Sequence, residues 1–248
     1  TVRSVAMKGG KTHQSWIHYA TTRDGVEFVK PDLGINGSNV LIKANSLGTD
    51  GKPLTGIRGC SGFSVVDANR QKLPHARSRY TAFYRSWVPG RHGGLSLAHS
   101  EDGLRWTEYP ENPVKILQSD TYNNFFYDAR IGKYVAYVRP SIHAGHRHVN
   151  RSVARIISND IVHWSDEQIV LDTDDRDAAA VGKVDEATLP DGTRYPRGRN
   201  KQFYGLTVKS HGDLYLGFAS LYDVRPGLMT IELAHSYNGI DWRREPDR

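Results

Sequence analysis

Three carboxylates in this sequence stand where acid–base chemistry could occur. Asp120 lies at the start of a predicted strand, Glu186 lies in a long polar stretch, and Asp128 precedes a predicted turn. One carboxylic acid that protonates a leaving oxygen and one carboxylate that attacks or activates water are the minimum for cleaving a glycosidic bond. We therefore treat Asp120, Glu186 and Asp128 as candidate catalytic residues, with Asp120 and Glu186 as the leading pair.

Basic, amide and aromatic side chains accompany these carboxylates. Arg85 and Arg139 end equivalent predicted strands, and guanidinium groups bind carboxylates or sulfates through two parallel hydrogen bonds. Amide side chains suit sugar hydroxyls, whereas a histidine or a tyrosine can act as a base. The candidate substrate-binding residues are Arg139, Arg85, Asn123, Asn124, His143, Gln202 and Tyr204.

The most basic stretch, residues 140–151, also contains His146 and His148. Two histidines that are two residues apart on a strand lie on one face and could share a metal ion. The sequence indicates no third ligand, so we expect neither a metal nor another cofactor.

A short pattern that occurs four times supplies the elements that must position these residues. A hydroxyl residue, any residue, Asp or Asn, usually Gly, two further residues and an aromatic follow one another at 22–28, 100–106, 158–164 and 236–242. Each copy comes after a strand-like run and therefore predicts a β-hairpin. Because the Asp or Asn recurs in every copy and can cap turn N–H groups, we expect it to be structural, with the aromatic residue packed between repeat units.

The hairpins divide the chain into units of about four strands each. The units cover roughly 57–117, 119–171 and 200–248, with a partial unit at 1–34. Residues 35–56 and 172–200 read as long irregular connections. Four-stranded units repeated around an axis form a β-propeller. We predict an all-β fold in which residues 1–248 form a single β-propeller domain of four-stranded antiparallel blades, with an incomplete first or last blade; the count alone allows four or five blades.

Several stretches of these units carry a resemblance to a known superfamily. They are 22–34 (TRDGVEFVKPDLG), 122–139 (YNNFFYDARIGKYVAYVR), 158–164, 203–222 and 233–242. The sequence resembles the five-bladed β-propeller glycoside hydrolases of families 32, 43 and 68, and it is most similar to uncharacterised family 32-like proteins. The resemblance implies five blades and three carboxylates that converge on the axis: a nucleophile or base, a general acid and a residue that orients the substrate.

The chain departs from that superfamily at the carboxylate motifs. It lacks the Trp-Met-Asn-Asp-Pro stretch, the Arg-Asp-Pro of the second blade and the Glu-Gly-Pro or Glu-Cys-Pro of the third. The resemblance also implies an acid near Gln202, where this chain has an amide.

Composition limits the class of protein and its partners. The chain has 248 residues, 38% of them hydrophobic and 24% charged, with a net charge of +6 and a pI of about 9.3. Cys60 is the single cysteine, which excludes an internal disulfide framework, and no apolar stretch approaches the length of a membrane helix. A basic surface attracts polyanions, and an acidic polysaccharide fits this charge. Since nucleic-acid-binding motifs are lacking, we expect a carbohydrate partner, no nucleic acid and no membrane.

The sequence also bears on the cellular location of the protein. No signal peptide is recognisable, and the chain starts at Thr1 rather than Met, which is typical of a processed or trimmed form. We expect a secreted or periplasmic protein.

Three functions fit these observations. The first is a glycoside hydrolase that degrades a poly- or oligosaccharide, with an anionic substrate that carries uronate or sulfate groups. The second is a polysaccharide lyase in which Arg139 neutralises a uronate carboxylate and His143 or Tyr204 supplies the base. The third is a non-catalytic carbohydrate-binding propeller, which the missing motifs favour. We take the hydrolase as the leading hypothesis.

Overall fold

The structure is a computed structural model. It describes residues 2–6, 13–88, 90, 93–117, 119, 122–140, 151–174, 176–177, 186–188, 194–196, 201–223 and 227–245, and for 2–6, 13, 186–188 and 194–196 it describes the backbone alone.

Two compact units divide the chain. The first contains residues 1–120 and 160–163, and the second contains residues 121–159 and 164–248. Each unit is built almost entirely from antiparallel strands, in agreement with the predicted all-β class. The single domain over residues 1–248 stays a prediction.

The first unit contains a three-stranded sheet, a four-stranded sheet and one helical turn. The three-stranded sheet has the order β1-β2-β3 and the four-stranded sheet the order β4-β5-β6-β7. Part of the predicted connection 35–56 is therefore a strand, β3, and the predicted partial unit 1–34 contains β1 and β2. The elements are β1 (Val2–Ala6), β2 (His13–His18), β3 (Val40–Ile42), β4 (Cys60–Asp67), α1 (Ala68–Gln71), β5 (Tyr80–Ser86), β6 (Gly94–Ser100) and β7 (Thr107–Glu108).

The second unit contains two four-stranded sheets and a small two-stranded sheet. The four-stranded sheets have the orders β11-β10-β9-β8 and β14-β15-β16-β17, and β12 pairs with β13. The stretch 172–200 thus contains a short antiparallel ladder, which the sequence did not predict. The strands are β8 (Asn124–Asp128), β9 (Lys133–Val138), β10 (Val153–Ser158), β11 (Gln168–Leu171), β12 (Glu186–Thr188), β13 (Arg194–Pro196), β14 (Lys201–His211), β15 (Leu214–Asp223), β16 (Leu228–Ser236) and β17 (Arg243–Arg244).

The repeated hairpin has the structural role that its sequence predicts. In the second copy, Asp102 Oδ1 accepts hydrogen bonds of 2.8 Å from the N–H groups of Leu104 and Arg105. Asp24, Asp160 and Asn238 accept the corresponding pairs of backbone N–H groups in the other copies. The side-chain oxygen thus accepts hydrogen bonds from N–H groups that have no backbone acceptor in a tight turn.

The hairpin aromatics differ in their packing. Trp106 is buried and contacts Phe63 edge-to-face, with ring centroids 5.3 Å apart. Trp242 contacts Tyr137 at 5.7 Å and so links the last hairpin to the preceding sheet. Phe28 is 58% exposed, so the prediction that every copy buries its aromatic is wrong for the first. The first hairpin stands apart because its strands are reduced to the single bridge between Thr21 and Val29.

Each unit has its own apolar core. In the first unit the core combines β2 and β3 with the four-stranded sheet, through residues such as Ile17, Ile42 and Tyr84. In the second unit one core cluster spans both four-stranded sheets, and β14 supplies Phe203, Leu206 and Val208 to it. Burial of these side chains holds β14 against β8, β9 and β10, and Asn124 at the start of β8 bonds Val208 of β14. No helix in the described residues is long and apolar enough to cross a membrane.

Candidate functional site

Tyr204 occupies an irregular position at the start of β14. Phe203 pairs with Leu221 and Gly205 pairs with Ser220, so Tyr204 is the extra residue of a β-bulge. A bulge of this kind re-aims a side chain and is common beside functional sites. The Tyr204 ring contacts the rings of Tyr122 and Tyr222 edge-on, each with centroids 5.8 Å apart. Three tyrosines therefore meet at this end of the second unit.

Two guanidinium groups lie against the same Tyr204 ring. Cζ of Arg139 is 5.1 Å from the ring centroid and Cζ of Arg151 is 5.2 Å from it. Arg151 also lies 5.8 Å from the ring centroid of Tyr222. Arg139 directly follows β9 and Arg151 stands two residues before β10, so the pairing of these two strands brings the two arginines together. The Phe203 N–H donates a 2.9 Å hydrogen bond to the Arg151 carbonyl, which fixes β14 beside them.

Gln202 holds the Arg151 side chain. Its Oε1 accepts a 2.8 Å hydrogen bond from Nη1 of Arg151, and its side chain is largely buried. An amide oxygen carries no charge. Within the described part of the chain, the hydrogen bond of the Arg151 guanidinium is to this neutral oxygen. A guanidinium group is suited to binding carboxylates or sulfates.

The two neighbouring asparagines have different environments. Asn123 is 2% exposed. Asn124 Oδ1 accepts a 2.9 Å hydrogen bond from the Val208 N–H and so joins β8 to β14. This bond gives Asn124 a structural role, and contact of either asparagine with a sugar stays a prediction.

Asp128 lies at the other end of β8, in a buried hydrogen-bond network. Its Oδ2 accepts a bond from the Tyr215 hydroxyl, and its Oδ1 accepts a 3.0 Å bond from the Arg130 N–H. Arg130 stacks on the Tyr215 ring at 4.5 Å and donates to the Tyr237 carbonyl at 3.0 Å. Burial, followed by the bond to Asp128, raises the pKa of Tyr215 to about 12. These contacts are typical of a structural carboxylate, and catalysis by Asp128 stays a prediction.

The remaining predicted residues are not part of the described cluster. Asp120 and His143 lie outside the described residues. Glu186 begins β12, where its backbone pairs with Pro196. Arg85 lies in β5 of the first unit, paired with Ser61 and Leu95. The predicted catalytic pair of Asp120 and Glu186 thus stays a prediction.

The structure adds three residues to the site that the sequence did not single out: Tyr122, Arg151 and Tyr222. Tyr122 and Arg151 each stand two residues before a strand of one sheet, β8 and β10, and Tyr222 is the penultimate residue of β15 in the other four-stranded sheet. In the sequence, their position near the ends of predicted strands was the one signal that could have identified these three residues. Among the described residues, no group of three His, Cys, Asp or Glu side chains is placed to hold a metal ion.

A separate cavity of about 530 Å³ lies in the first unit, between the end of β4 and the start of β5. Asp67, Arg70, Arg79 and Tyr80 line it. Asp67 caps α1 through the N–H groups of Asn69 and Arg70. None of the predicted site residues lines this cavity. It is therefore distinct from the tyrosine–arginine cluster, which consists of Tyr122, Tyr204, Tyr222, Arg139 and Arg151.

No protein-family model and no curated protein matches the sequence. Solved structures with a similar fold do match it. A thermostable family-43 glycoside hydrolase matches with a TM-score of 0.60 at 11% identity, over 96% of this chain and 65% of that one. A beta-1,2-mannobiose phosphorylase from Listeria innocua, solved with beta-1,2-mannobiose, matches with a TM-score of 0.53 at 15% identity, over 90% of this chain and 49% of that one. A fructofuranosidase from Schwanniomyces occidentalis, solved with fructose, matches with a TM-score of 0.51 at 13% identity, over 95% and 40%.

The four-stranded antiparallel sheets and these matches define the fold class. The chain has an all-β, propeller-like fold that it shares with glycoside hydrolases. The predicted resemblance to the five-bladed propeller glycoside hydrolases is confirmed as a likeness in fold. The chain spans less than two thirds of the length of the three structures described above.

Proposed function

We propose that this chain belongs to a carbohydrate-active enzyme, a glycoside hydrolase that cleaves an anionic poly- or oligosaccharide bearing uronate or sulfate groups. The observation that carries the proposal is the pair of guanidinium groups at the Tyr204 ring, Cζ of Arg139 at 5.1 Å and Cζ of Arg151 at 5.2 Å. Aromatic faces suit the C–H surfaces of sugar rings, and paired guanidiniums suit an acidic substituent. The likeness in fold to glycoside hydrolases also supports the proposed hydrolase function.

The remaining residues complete the proposed site. We propose a five-bladed propeller in which the acidic group of the sugar lies between Arg139 and Arg151. Gln202 and Asn123 provide amides for sugar hydroxyls, and Arg85 and His143 add further substrate contacts. Asp120 and Glu186 act as the acid and the nucleophile or base, with Asp128 as the third carboxylate.

Replacement of the two leading carboxylates tests this proposal. We expect Asp120→Asn and Glu186→Gln each to reduce the release of reducing ends from an acidic oligosaccharide by at least 10²-fold, because general acid–base catalysis contributes about that much. Binding of the same oligosaccharide should persist in both variants. If both variants retain full turnover, the assignment of the acid–base pair is wrong.

The second candidate function is a polysaccharide lyase. The specific observation in its favour is the Arg139 guanidinium at the Tyr204 ring, since a lyase needs a neutralised uronate carboxylate beside a tyrosine or histidine base. The base removes the proton next to the carboxylate, the electron pair forms a carbon–carbon double bond, and the glycosidic oxygen leaves. An unsaturated uronide product, detected by its ultraviolet absorbance, would replace the hydrolase by the lyase.

A non-catalytic carbohydrate-binding propeller and the location of the protein complete the set of proposals. Binding of acidic glycans without any turnover would support the non-catalytic function.

We also propose a secreted or periplasmic location, because polysaccharide substrates lie outside the cytoplasm. Fractionation of expressing cells tests this location, and a protein found entirely in the cytoplasm would contradict it.

A further inference from the structure

Tyr122 has a backbone conformation that a bulky residue avoids. Its φ is +47°, in the left-handed region, where the side chain is crowded by its own carbonyl. Tyr122 stands two residues before Asn124, which pairs with the central strand of its sheet. In the first unit, the left-handed residue near the start of the corresponding strand β4 is a glycine, Gly62, with a φ of +61°. A glycine adopts this conformation without strain, whereas a tyrosine does not.

Close packing holds Tyr122 in this strained conformation. A Cβ added to Gly205 would lie 2.4 Å from Tyr122 Cβ, so the approach depends on the missing side chain at position 205. Gly205 directly follows the bulge residue Tyr204. Two local irregularities, the bulge and the left-handed residue, therefore bring the same two rings together.

The Tyr122 ring is nevertheless not buried by this packing. It is 49% exposed, and its contact with Tyr204 is edge-to-face, with an interplanar angle of 81°. A buried aromatic would be explained by core packing alone, whereas a strained and half-exposed one is typical of a ligand contact. The guanidinium of Arg151, which is held by Gln202, lies next to the same Tyr204 ring.

We propose that Tyr122 forms the stacking wall of a subsite for a sugar ring that carries a carboxylate. The apolar C–H face of the ring packs on Tyr122, while the carboxylate accepts hydrogen bonds from Arg151. This subsite rests on the proposed function, in that it specifies which sugar the enzyme recognises. In this subsite Tyr122 binds the sugar ring, and Arg151 provides the specificity for the carboxylate.

The test compares three probes and five proteins, one of which is a control variant. The probes are a galacturonate tetrasaccharide, its fully methyl-esterified form, and a sulfated tetrasaccharide of equal length. The proteins are the unmodified chain and the variants Tyr122→Asn, Tyr122→Phe and Arg151→Gln. Asn tolerates the left-handed conformation, so Tyr122→Asn removes the ring without adding backbone strain. Tyr237→Asn is the matched control, because Tyr237 is a 69% exposed tyrosine at the hairpin at the opposite end of the sheet from Tyr222.

We expect Tyr122→Asn to weaken binding of both galacturonate probes about tenfold, and Tyr122→Phe and the Tyr237→Asn control to leave it unchanged. Arg151→Gln should weaken binding of the free acid about tenfold or more and leave the methyl ester within about twofold. Circular dichroism and titration calorimetry provide the readouts of folding and binding.

Several outcomes would overturn the subsite. It is wrong if the unmodified chain binds none of the galacturonate probes, if it binds the sulfated probe alone, or if Tyr122→Asn binds as tightly as the unmodified chain. Binding that depends on Tyr122 without any turnover would support the subsite and would contradict the proposed hydrolase. Turnover with binding that is unaffected by Tyr122→Asn would do the reverse.

Discussion

Asp67 and Asp128 show how similar residues in the repeat take different roles. Each precedes a turn and accepts a backbone N–H two residues later. Asp67 then binds the exposed Arg79, whereas Asp128 is 3% exposed and binds the Tyr215 hydroxyl. The difference arises from the packing of neighbouring sheets, since Tyr215 lies in the next sheet of the second unit. A recurring Asp therefore does not by itself indicate a catalytic residue.

Asp128→Ala should lower the free energy of unfolding by about 1–3 kcal/mol, because it leaves the buried Tyr215 hydroxyl without its acceptor. Urea denaturation measures this change, with Asp24→Ala in the exposed first hairpin as the control. A stable Asp128→Ala variant that has lost turnover would instead show that Asp128 is catalytic.

The raised pKa of Tyr215 makes stability depend on pH in the alkaline range. An unfolded tyrosine titrates near pH 10, and the folded pKa is about 12. The folded state thus retains the proton more strongly, so stability is full below about pH 10 and falls as pH rises towards 12. Burial also raises the pKa of Tyr137, which adds to this loss.

We expect denaturation midpoints to fall between about pH 10 and 12, and Tyr215→Phe to make this fall smaller. A titration of the unfolding midpoint for both proteins checks the prediction. An identical pH profile for Tyr215→Phe would contradict the contribution of Tyr215.

At the scale of elements, the hairpins show where a glycine is required. Gly103 and Gly239 have φ values of +74° and +72° in equivalent turns. A Cβ on Gly103 would meet the Tyr80 ring at 3.6 Å, an ordinary contact, whereas one on Gly239 would lie 2.8 Å from Tyr137 Oη. The Tyr137 hydroxyl also donates a 2.8 Å bond to the Gly239 carbonyl. The left-handed backbone conformation favours glycine in both turns, and close packing against Tyr137 also excludes a side chain at Gly239.

Gly103→Ala should cost about 1–2 kcal/mol through its left-handed φ, and Gly239→Ala should cost at least 1 kcal/mol more because the methyl group displaces Tyr137. Chemical denaturation of the two variants gives the comparison. Equal losses would show that the contact with Tyr137 relaxes without cost.

The last strand is tied to the long polar stretch by a buried ion cluster. Arg244 donates to Asp177 at 2.6 and 2.9 Å and to Glu232 at 2.6 Å, and it stacks on Phe203 at 4.9 Å. The side chains of Arg244 and Asp177 are 4% and 2% exposed. Asp177 therefore anchors the start of the stretch 172–200 beneath the strand that carries Gln202 and Tyr204.

Arg244→Ala should destabilise the protein by about 3–5 kcal/mol, because two carboxylates lose their buried partner. Arg243→Ala, at the exposed neighbouring position, should change stability by no more than about 0.5 kcal/mol. Thermal or urea denaturation distinguishes the two. Similar effects for both variants would show that the cluster contributes little.

At the scale of the whole molecule, the net charge of +6 should attract an anionic ligand such as the proposed acidic glycan. Raising ionic strength from 0.01 to 0.15 M shortens the screening length from about 30 Å to about 8 Å. We expect the association rate of a polygalacturonate to fall about tenfold over this range and that of its methyl ester to stay nearly constant. Stopped-flow binding measures both rates, and equal salt dependence would contradict electrostatic steering.

Local patterns account for what the sequence alone determined. Each hairpin is stabilised within seven residues, where Asp102 or Asn238 bonds the next N–H groups, so spacing alone predicted the strands and the four-stranded units. A family resemblance on the same stretches indicated the class of fold. The ladder formed by β12 and β13 was missed because each strand has only three residues, which is too short for an alternating pattern to be recognised.

Only the tertiary structure decided which side chains form the candidate site. Arg139, Gln202 and Tyr204 were predicted as binding residues, but their meeting with Tyr122, Arg151 and Tyr222 depends on strand pairing over long sequence distances. The bulge at Tyr204 and the left-handed Tyr122 complete the arrangement, and neither follows from residue type. The spacing of residues in the sequence predicts local hydrogen bonds within a hairpin. The candidate site instead depends on the packing of β8, β9, β10 and β14 around one apolar core.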